Sequence, residues 1–359
     1  MKIGLIGLPR SGKTTLFNLL TGARVATSRY ETGRAELHTG VARVPDPRVD
    51  RLSEMFKPKK TTYATFDVVD LAGIAKGERS GLETKEFRNA DALFHVVRAF
   101  ADPVLPAPDP RRDIDDLEME LILADLEVIE RRLERLEASI KKRRTDAEVK
   151  EQELLRRLQG ELESERPLRA VDVTVDDAKV IRGFTFLSHQ PILHCVNLDE
   201  KSVADGARVV ERFGLEALVG QPHTRVGWVS AVIEAEVAQL AGEEQAAFLA
   251  DLGLREPALN RLLQDCYAVL GLVSFFTVGD DEVRAWPMPR STRAQDAAGV
   301  VHSDLARGFI RAEVNTYDEL VAAGGSFAEI RAKGQLRLEG KDYLVHDGEI
   351  CHFRFNVAK

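Results

Sequence analysis

Gly7-Leu8-Pro9-Arg10-Ser11-Gly12-Lys13-Thr14 is the stretch on which the fold of this chain turns. It fits G-x-x-x-x-G-K-S/T, a loop whose backbone N–H groups converge on phosphate oxygens. Lys2-Ile3-Gly4-Leu5-Ile6 before it is a short apolar run suited to a buried parallel strand. Thr15-Leu16-Phe17-Asn18-Leu19-Leu20 after it reads as the first turns of a helix. Strand, loop and helix N-terminus in that order aim free N–H groups and the positive end of the helix dipole at an anion. The expected binding set is Gly7, Pro9, Arg10, Ser11, Gly12, Lys13, Thr14 and Thr15. Within it Lys13 would neutralise the β/γ end of a nucleoside triphosphate, a catalytic as well as a binding role, and the Thr14 hydroxyl would be a Mg²⁺ ligand.

The chain around this loop has 359 residues, 44% hydrophobic and 30% charged, enough for two or three globular domains. A net charge of −8 argues against a protein that coats nucleic acid over its whole surface, so no sequence-specific DNA binding is expected. The sequence holds no apolar run of the ~18 residues a membrane span needs. The N-terminal strand leaves no room for a signal peptide, and Cys195, Cys266 and Cys351 lack metal-ligand spacing. A reducing, cytoplasmic setting is expected.

Further along, residues 21–60 would hold the first switch of a P-loop protein. Phe66-Asp67-Val68-Val69-Asp70 reads as a strand ending on a carboxylate, followed by Leu71-Ala72-Gly73. D-x-x-G is weak alone, but after a P-loop it lets Asp70 reach Mg²⁺ through water and the Gly73 N–H meet the γ-phosphate. Ala92 to Arg98 is a second buried strand, with His95 read as a packed or strand-edge histidine rather than a catalyst. Residues 101–110 hold four prolines and form an irregular connection. Leu126, Ile129, Leu133, Leu136 and Ile140 then recur at coiled-coil spacing, and Leu155, Leu158 and Leu162 resume it. Two helices folded back on each other fit this, with Lys141, Lys142, Arg143 and Arg144 near the tip. A solvated turn and a contact with phosphates both suit that basic tetrad. The strand at 191–196 ends on Asn197-Leu198-Asp199-Glu200, at the sheet edge where α/β ligands bind. From Ser274 short strand candidates take over, and Asp347-Gly348 reads as a hairpin turn between two of them.

Taken together, these motifs resemble the YchF-type, or Obg-like, ATPases of the translation-factor-related P-loop class. The resemblance runs through Val44-Pro45-Asp46-Pro47-Arg48, Asp70-Leu71-Ala72-Gly73, His95-Val96-Val97-Arg98, Ser230-Ala231 and Glu282-Val283-Arg284-Ala285-Trp286. It implies an α/β fold: a Ras-like P-loop NTPase domain (1–112 and 166–273), an inserted α-helical coiled-coil hairpin (113–165) and a C-terminal ubiquitin-like β-grasp, or TGS, domain (274–359). It also implies a ribosomal partner, and the basic tetrad and the TGS-like domain are the contacts expected for it. Most GTPases of this class read guanine with Asn-Lys-x-Asp. Asn197-Leu198-Asp199-Glu200 has the Asn-x-x-Glu form instead, and Leu198 would offer the base an apolar wall. By resemblance ATP is favoured and GTP is a second ligand, with Asn197, Leu198, Glu200, Ser230 and Ala231 in the binding set.

The departures from the family pattern bear on catalysis. The first-switch threonine would fall near Ala35, where Thr32 and Thr39 are out of register. The second-switch loop is shortened to Lys76-Gly77-Glu78-Arg79-Ser80-Gly81-Leu82, Ile74 stands where a water-orienting glutamine can sit, and no histidine occurs in 101–110. Arg10-Ser11 replaces the usual Asn-Val. The binding residues are thus present and the hydrolytic ones altered. A slow ATPase and a nucleotide-binding module that signals by occupancy alone are the two readings that follow.

Overall fold

The computed structural model describes residues 1–25, 37–71 and 85–356. They divide into two compact units, Met1–Ala42 with Phe66–Val269 and Arg43–Thr65 with Leu270–Lys359. The described strands are β1 (Lys2–Ile6), β2 (Leu37–Arg43), β3 (Lys60–Thr62), β4 (Thr65–Leu71), β5 (Ala92–Ala99), β6 (Ile192–Leu198), β7 (Thr224–Val229), β8 (Leu272–Thr277), β9 (Glu282–Pro289), β10 (Phe309–Thr316), β11 (Arg337–Glu339) and β12 (Glu349–Phe355).

In the first unit the strand order is β2-β4-β1-β5-β6-β7. β1 pairs in parallel with both β4 and β5, and β5-β6 and β6-β7 are parallel too. Every residue of β5 and β6 is buried. That explains their unbroken apolar runs: central parallel strands are covered on both faces and do not alternate. Helix α1 (Lys13–Thr21) follows β1 and buries Leu16 and Phe17. α2 (Pro47–Phe56) and α3 (Lys85–Arg88) come next in the chain.

The long helices are α4 (Pro110–Lys142) and α5 (Asp146–Glu163). Asp109 and Thr145 cap them, each accepting a backbone N–H with its side-chain oxygen. Ile129, Leu133 and Leu136 pack against Leu154, Leu155, Leu158 and Leu162, with Leu126 and Ile140 at the margins. Arg132 forks onto both carboxylate oxygens of Glu151 at 2.7 and 2.8 Å, tying the two helices. The expected insertion at 113–165 divides differently, however. The N-terminal half of α4 belongs to the sheet domain, since Ile114, Leu121 and Ala124 sit in the α/β core.

The second unit carries the sheet order β11-β10-β12-β8-β9-β3. Residues 43–65, expected in the nucleotide domain, group with it because β3 pairs in parallel with β9, Thr61 opposite Val283. Asp46-Pro47 is a helix start: Asp46 caps α2 by accepting Arg48 N–H at 3.0 Å, with proline in the first turn. The Asp347-Gly348 expectation is also corrected. β11 and β12 flank β10 rather than pairing with each other, so no hairpin joins them. Asp347 instead accepts Ser274 N–H at 2.9 Å and pairs with Arg48 at 2.8 Å. The core of this unit is Phe275, Met288, Ala298, Val314, Phe353 and their neighbours. Among the described residues no helix is long and apolar enough to cross a membrane.

Candidate functional site

The loop between β1 and α1 is shaped by two glycines that no other residue could replace. Gly7 (φ 149°) faces Val96 O, which a Cβ would approach to 2.4 Å. Gly12 (φ 99°) caps α1, and a Cβ there would meet Asn197 Nδ2 at 2.4 Å. No side chain caps this helix end, so its first-turn N–H groups are left for an anion. Lys13, 6% exposed, donates through Nζ to Gly7 O at 2.9 Å and Leu8 O at 2.8 Å. These bonds hold the ammonium within the curl of the loop.

Thr14 and Asp70, the two expected Mg²⁺ ligands, lie side by side although they come from α1 and β4. The Thr14 hydroxyl donates to Asp70 Oδ2 at 3.1 Å. Asp70 is fully buried, and its Oδ1 has no hydrogen-bond partner among the described residues. Burial raises its pKa, while Lys13, the Thr14 hydroxyl and His38 pull it back down. A carboxylate oxygen left bare in a buried place fits a hard divalent cation, and Thr14 and Asp70 offer the oxygen donors such an ion takes. Ser11 is nearly as buried, and its Oγ likewise lacks a partner among the described residues.

Asn197, at the end of β6, is a brace. Its Nδ2 donates to Ser11 O at 3.0 Å and its Oδ1 accepts Ala231 N–H at 3.0 Å. One amide thereby ties the phosphate loop to the start of the helix Ala231–Val237, where Ser230 is 2% exposed. Leu198 departs from its expected place as a wall for a base. It is 1% exposed and packs with Val97, Val196 and Val203 in the core, because it is still a residue of β6. Asp199 accepts Ser202 N–H at 2.8 Å and starts a run of 3₁₀ turns. Glu200, next to it, is exposed.

The connection 101–110 also carries groups that reading the sequence missed. Arg98 donates to Phe100 O and Pro106 O, both at 2.8 Å, which folds the loop over the end of β5. Asp102 accepts the N–H groups of Val104 and Leu105 at 2.9 and 3.2 Å, and Arg10 of the phosphate loop reaches it at 2.6 Å. Asp102-Pro103 was the available signal, since aspartate before proline commonly starts a turn. His95 is a packed residue, as expected: its Nδ1 lies 3.0 Å from His194 Nδ1, and burial with His194 nearby lowers its pKa well below the usual value. Glu118 stands 3.4 Å from His194 and 2.7 Å from Arg169. Burial pushes the Glu118 carboxyl up, but Arg169 and His194 outweigh it and hold it at about 2. Gly73, Ala35, Ile74 and the shortened loop 76–82 lie outside the described residues. Among the described residues no cluster of three or more His, Cys, Asp or Glu could hold a metal ion.

A family model described as a 50S ribosome-binding GTPase matches residues 2–135. A second, YchF-GTPase_C, described as a protein of unknown function, matches residues 272–356. The "Ribosome-binding ATPase YchF" of Bacillus subtilis is 41% identical over 363 residues, 99% of each chain. The chain belongs to the YchF family. The rice "Obg-like ATPase 1" is 33% identical, covering 100% of this chain and 93% of its own. A solved structure of the Schizosaccharomyces pombe YchF GTPase superposes with a TM-score of 0.82 at 26% identity, covering 99% of this chain and 97% of that one. As a YchF-family protein, the chain has the α/β P-loop fold followed by the YchF C-terminal region.

Proposed function

We propose that this YchF-family chain binds ATP ahead of GTP, with Mg²⁺, hydrolyses it slowly, and acts as a nucleotide-dependent switch on the ribosome. The observation that carries the reading is the Thr14–Asp70 pair beside Lys13, with Asp70 Oδ1 lacking a hydrogen-bond partner among the described residues. Relatives named ribosome-binding ATPase support both the nucleotide and the partner, and the one named Obg-like ATPase supports the nucleotide.

Thr14 and Asp70 would hold Mg²⁺, which when bound neutralises charge on the phosphate oxygens. Lys13 and the N–H groups of the loop and the first turn of α1 bind and orient the phosphates, and Asn197 keeps loop and base side in register. Gly73 would add its N–H at the γ-phosphate. Glu200 would read the base, since Asp199 is engaged with Ser202. Adenine presents an acceptor at N1 where guanine presents a donor, so the base-reading acid is where the choice is made. Slow turnover follows from the missing water-orienting groups: losing that orientation costs on the order of 2–4 kcal/mol, or roughly 30- to 1,000-fold. Titration with labelled ATP and GTP, with and without Mg²⁺, and single-turnover hydrolysis test this reading. A GTP preference, Mg²⁺-independent binding, or unaided turnover near ~1 s⁻¹ would overturn its parts, the last pointing first to His38.

The ribosomal contact is proposed at Lys141, Lys142, Arg143 and Arg144, all exposed, the first two in the last turn of α4 and the others in its connection to α5, together with the TGS-like C-terminal unit. A ribosomal partner would place the protein in the cytoplasm. Four cations meeting phosphates give a log–log salt slope of roughly −3 to −4. Co-sedimentation with ribosomes across a salt series should lose that slope when the tetrad is replaced by serine. An unchanged slope would mean a solvated turn.

A further inference from the structure

Arg10 lies inside the phosphate-binding loop, with its backbone in the left-handed region (φ 62°) that non-glycine residues seldom adopt. Its guanidinium points out of the loop to Asp102: Nε and Nη2 both donate to Oδ2, at 3.0 and 2.6 Å. The other oxygen, Oδ1, accepts Val104 N–H and Leu105 N–H. The two ends of this ion pair are therefore unequal. Asp102 is fixed by backbone bonds whether or not Arg10 is present, and those bonds, Val104's first, help hold it below the usual carboxylate range. Arg10 is a third exposed and has no other hydrogen bond among the described residues. It is the partner that can leave.

A triphosphate entering the loop supplies a better one. An exposed carboxylate pair contributes at most about a fivefold factor to an equilibrium. A guanidinium forked onto phosphate oxygens makes charge-assisted, two-point contacts that are shorter and stronger. We propose that Arg10 is a triphosphate sensor. It is held by Asp102 when no triphosphate is bound and passes to the terminal phosphate oxygens of ATP, which releases the 101–110 connection from the phosphate loop. ADP lacks the terminal group, so the exchange discriminates triphosphate from diphosphate. The released connection leads directly into α4, so the state of the nucleotide reaches the base of the long helix. This inference rests on the proposed nucleotide site.

Two variants have opposite expected signs. Arg10→Ala removes the sensor: ATP affinity should fall about 10-fold with ADP affinity little changed. Asp102→Asn keeps Oδ1 for Val104 and Leu105 but frees Arg10: ATP affinity should rise, up to about fivefold, again with ADP little changed. The double variant should follow Arg10→Ala. Equilibrium titration of wild type and variants with both nucleotides reads the ratio directly, and circular dichroism confirms that each is folded. If both single variants weaken ATP binding, the pair is a brace for the loop and the sensor is wrong. An unchanged ratio in either single variant also overturns it. A wild-type chain that binds neither nucleotide would overturn the underlying site reading instead, and the sensor with it.

Discussion

At the phosphate end of the proposed site, each working side chain is committed to other parts of the fold. Lys13 holds Gly7 O and Leu8 O, Thr14 holds Asp70, and Asn197 holds Ser11 O and Ala231 N–H, all within 3.1 Å. At the base end Asp199 is spent on Ser202 and Glu200 stands exposed. The first group is fixed by the parallel sheet itself, because β1, β4 and β6 deliver their C-terminal ends to one edge. On the proposed reading, the second rests on one exposed carboxylate. Phosphate binding would then be built into the architecture, and base choice would be a local addition that a single residue can alter.

The comparison breaks most visibly at Lys13. Lys13→Ala should weaken ATP and GTP alike by ~100-fold or more, about 3 kcal/mol for a charged contact, and abolish hydrolysis with it. Isothermal titration with both nucleotides checks this. A loss confined to one base would mean that the two ends are not separate. Asp70→Asn should weaken nucleotide binding ~10- to 100-fold, and only when Mg²⁺ is present. The same substitution should raise the melting temperature of the nucleotide-free protein at pH 7. The sign follows from the raised pKa of Asp70. The folded state prefers the protonated form, so ionisation costs stability above the folded-state pKa, and that cost disappears below the unfolded value. Asparagine stays neutral throughout. A lower melting temperature for the variant would show that Lys13 and Thr14 already outweigh the burial.

Asn197→Ala comes next. It leaves the Ser11 carbonyl and the Ala231 N–H buried without their partner, at about 1–3 kcal/mol in folding stability for each. Denaturant midpoints measured without nucleotide should show this loss, and Asn197→Asp should recover part of it through the acceptor alone. If the midpoint stays put, the brace is water-replaceable and the phosphate end is less rigid than described.

Much of this arrangement was legible in the sequence, and what was missed has physical reasons. The phosphate loop and Asp70 are local patterns, and β5 and β6 announce themselves as continuous apolar runs. The leucine spacing of α4 and α5 was equally plain. Lys60-Thr61-Thr62 carries no hydrophobic signal, so nothing local says that β3 joins β9 more than two hundred residues away. The Arg10–Asp102 pair joins residues 92 apart, and His95 meets His194 across 99. Spacing along the chain does not report such encounters. Leu198 was misread for a simpler reason. Its motif neighbours suggested a ligand wall, but it is still a residue of β6, a strand covered on both faces, and it packs with Val97, Val196 and Val203.

Glu200→Asp should have the smallest effect and probes the base end by itself. The shorter side chain withdraws the carboxylate by one methylene without changing its charge, so the phosphate grip is untouched. ATP affinity should fall a few-fold, about 1 kcal/mol or less, while GTP affinity changes little. A good guanine site should not appear, because Leu198 is fixed in the core and supplies nothing to replace a lysine at that place. Competition between ATP and GTP for a labelled analogue gives the preference as a ratio that is insensitive to phosphate binding. A ratio that inverts in favour of GTP would mean that the length of this one side chain carries the whole choice. A ratio that does not move would transfer base reading to backbone groups around Ser230 and Ala231, whose position Asn197 sets. In that case the base end would be as firmly built into the fold as the phosphate end.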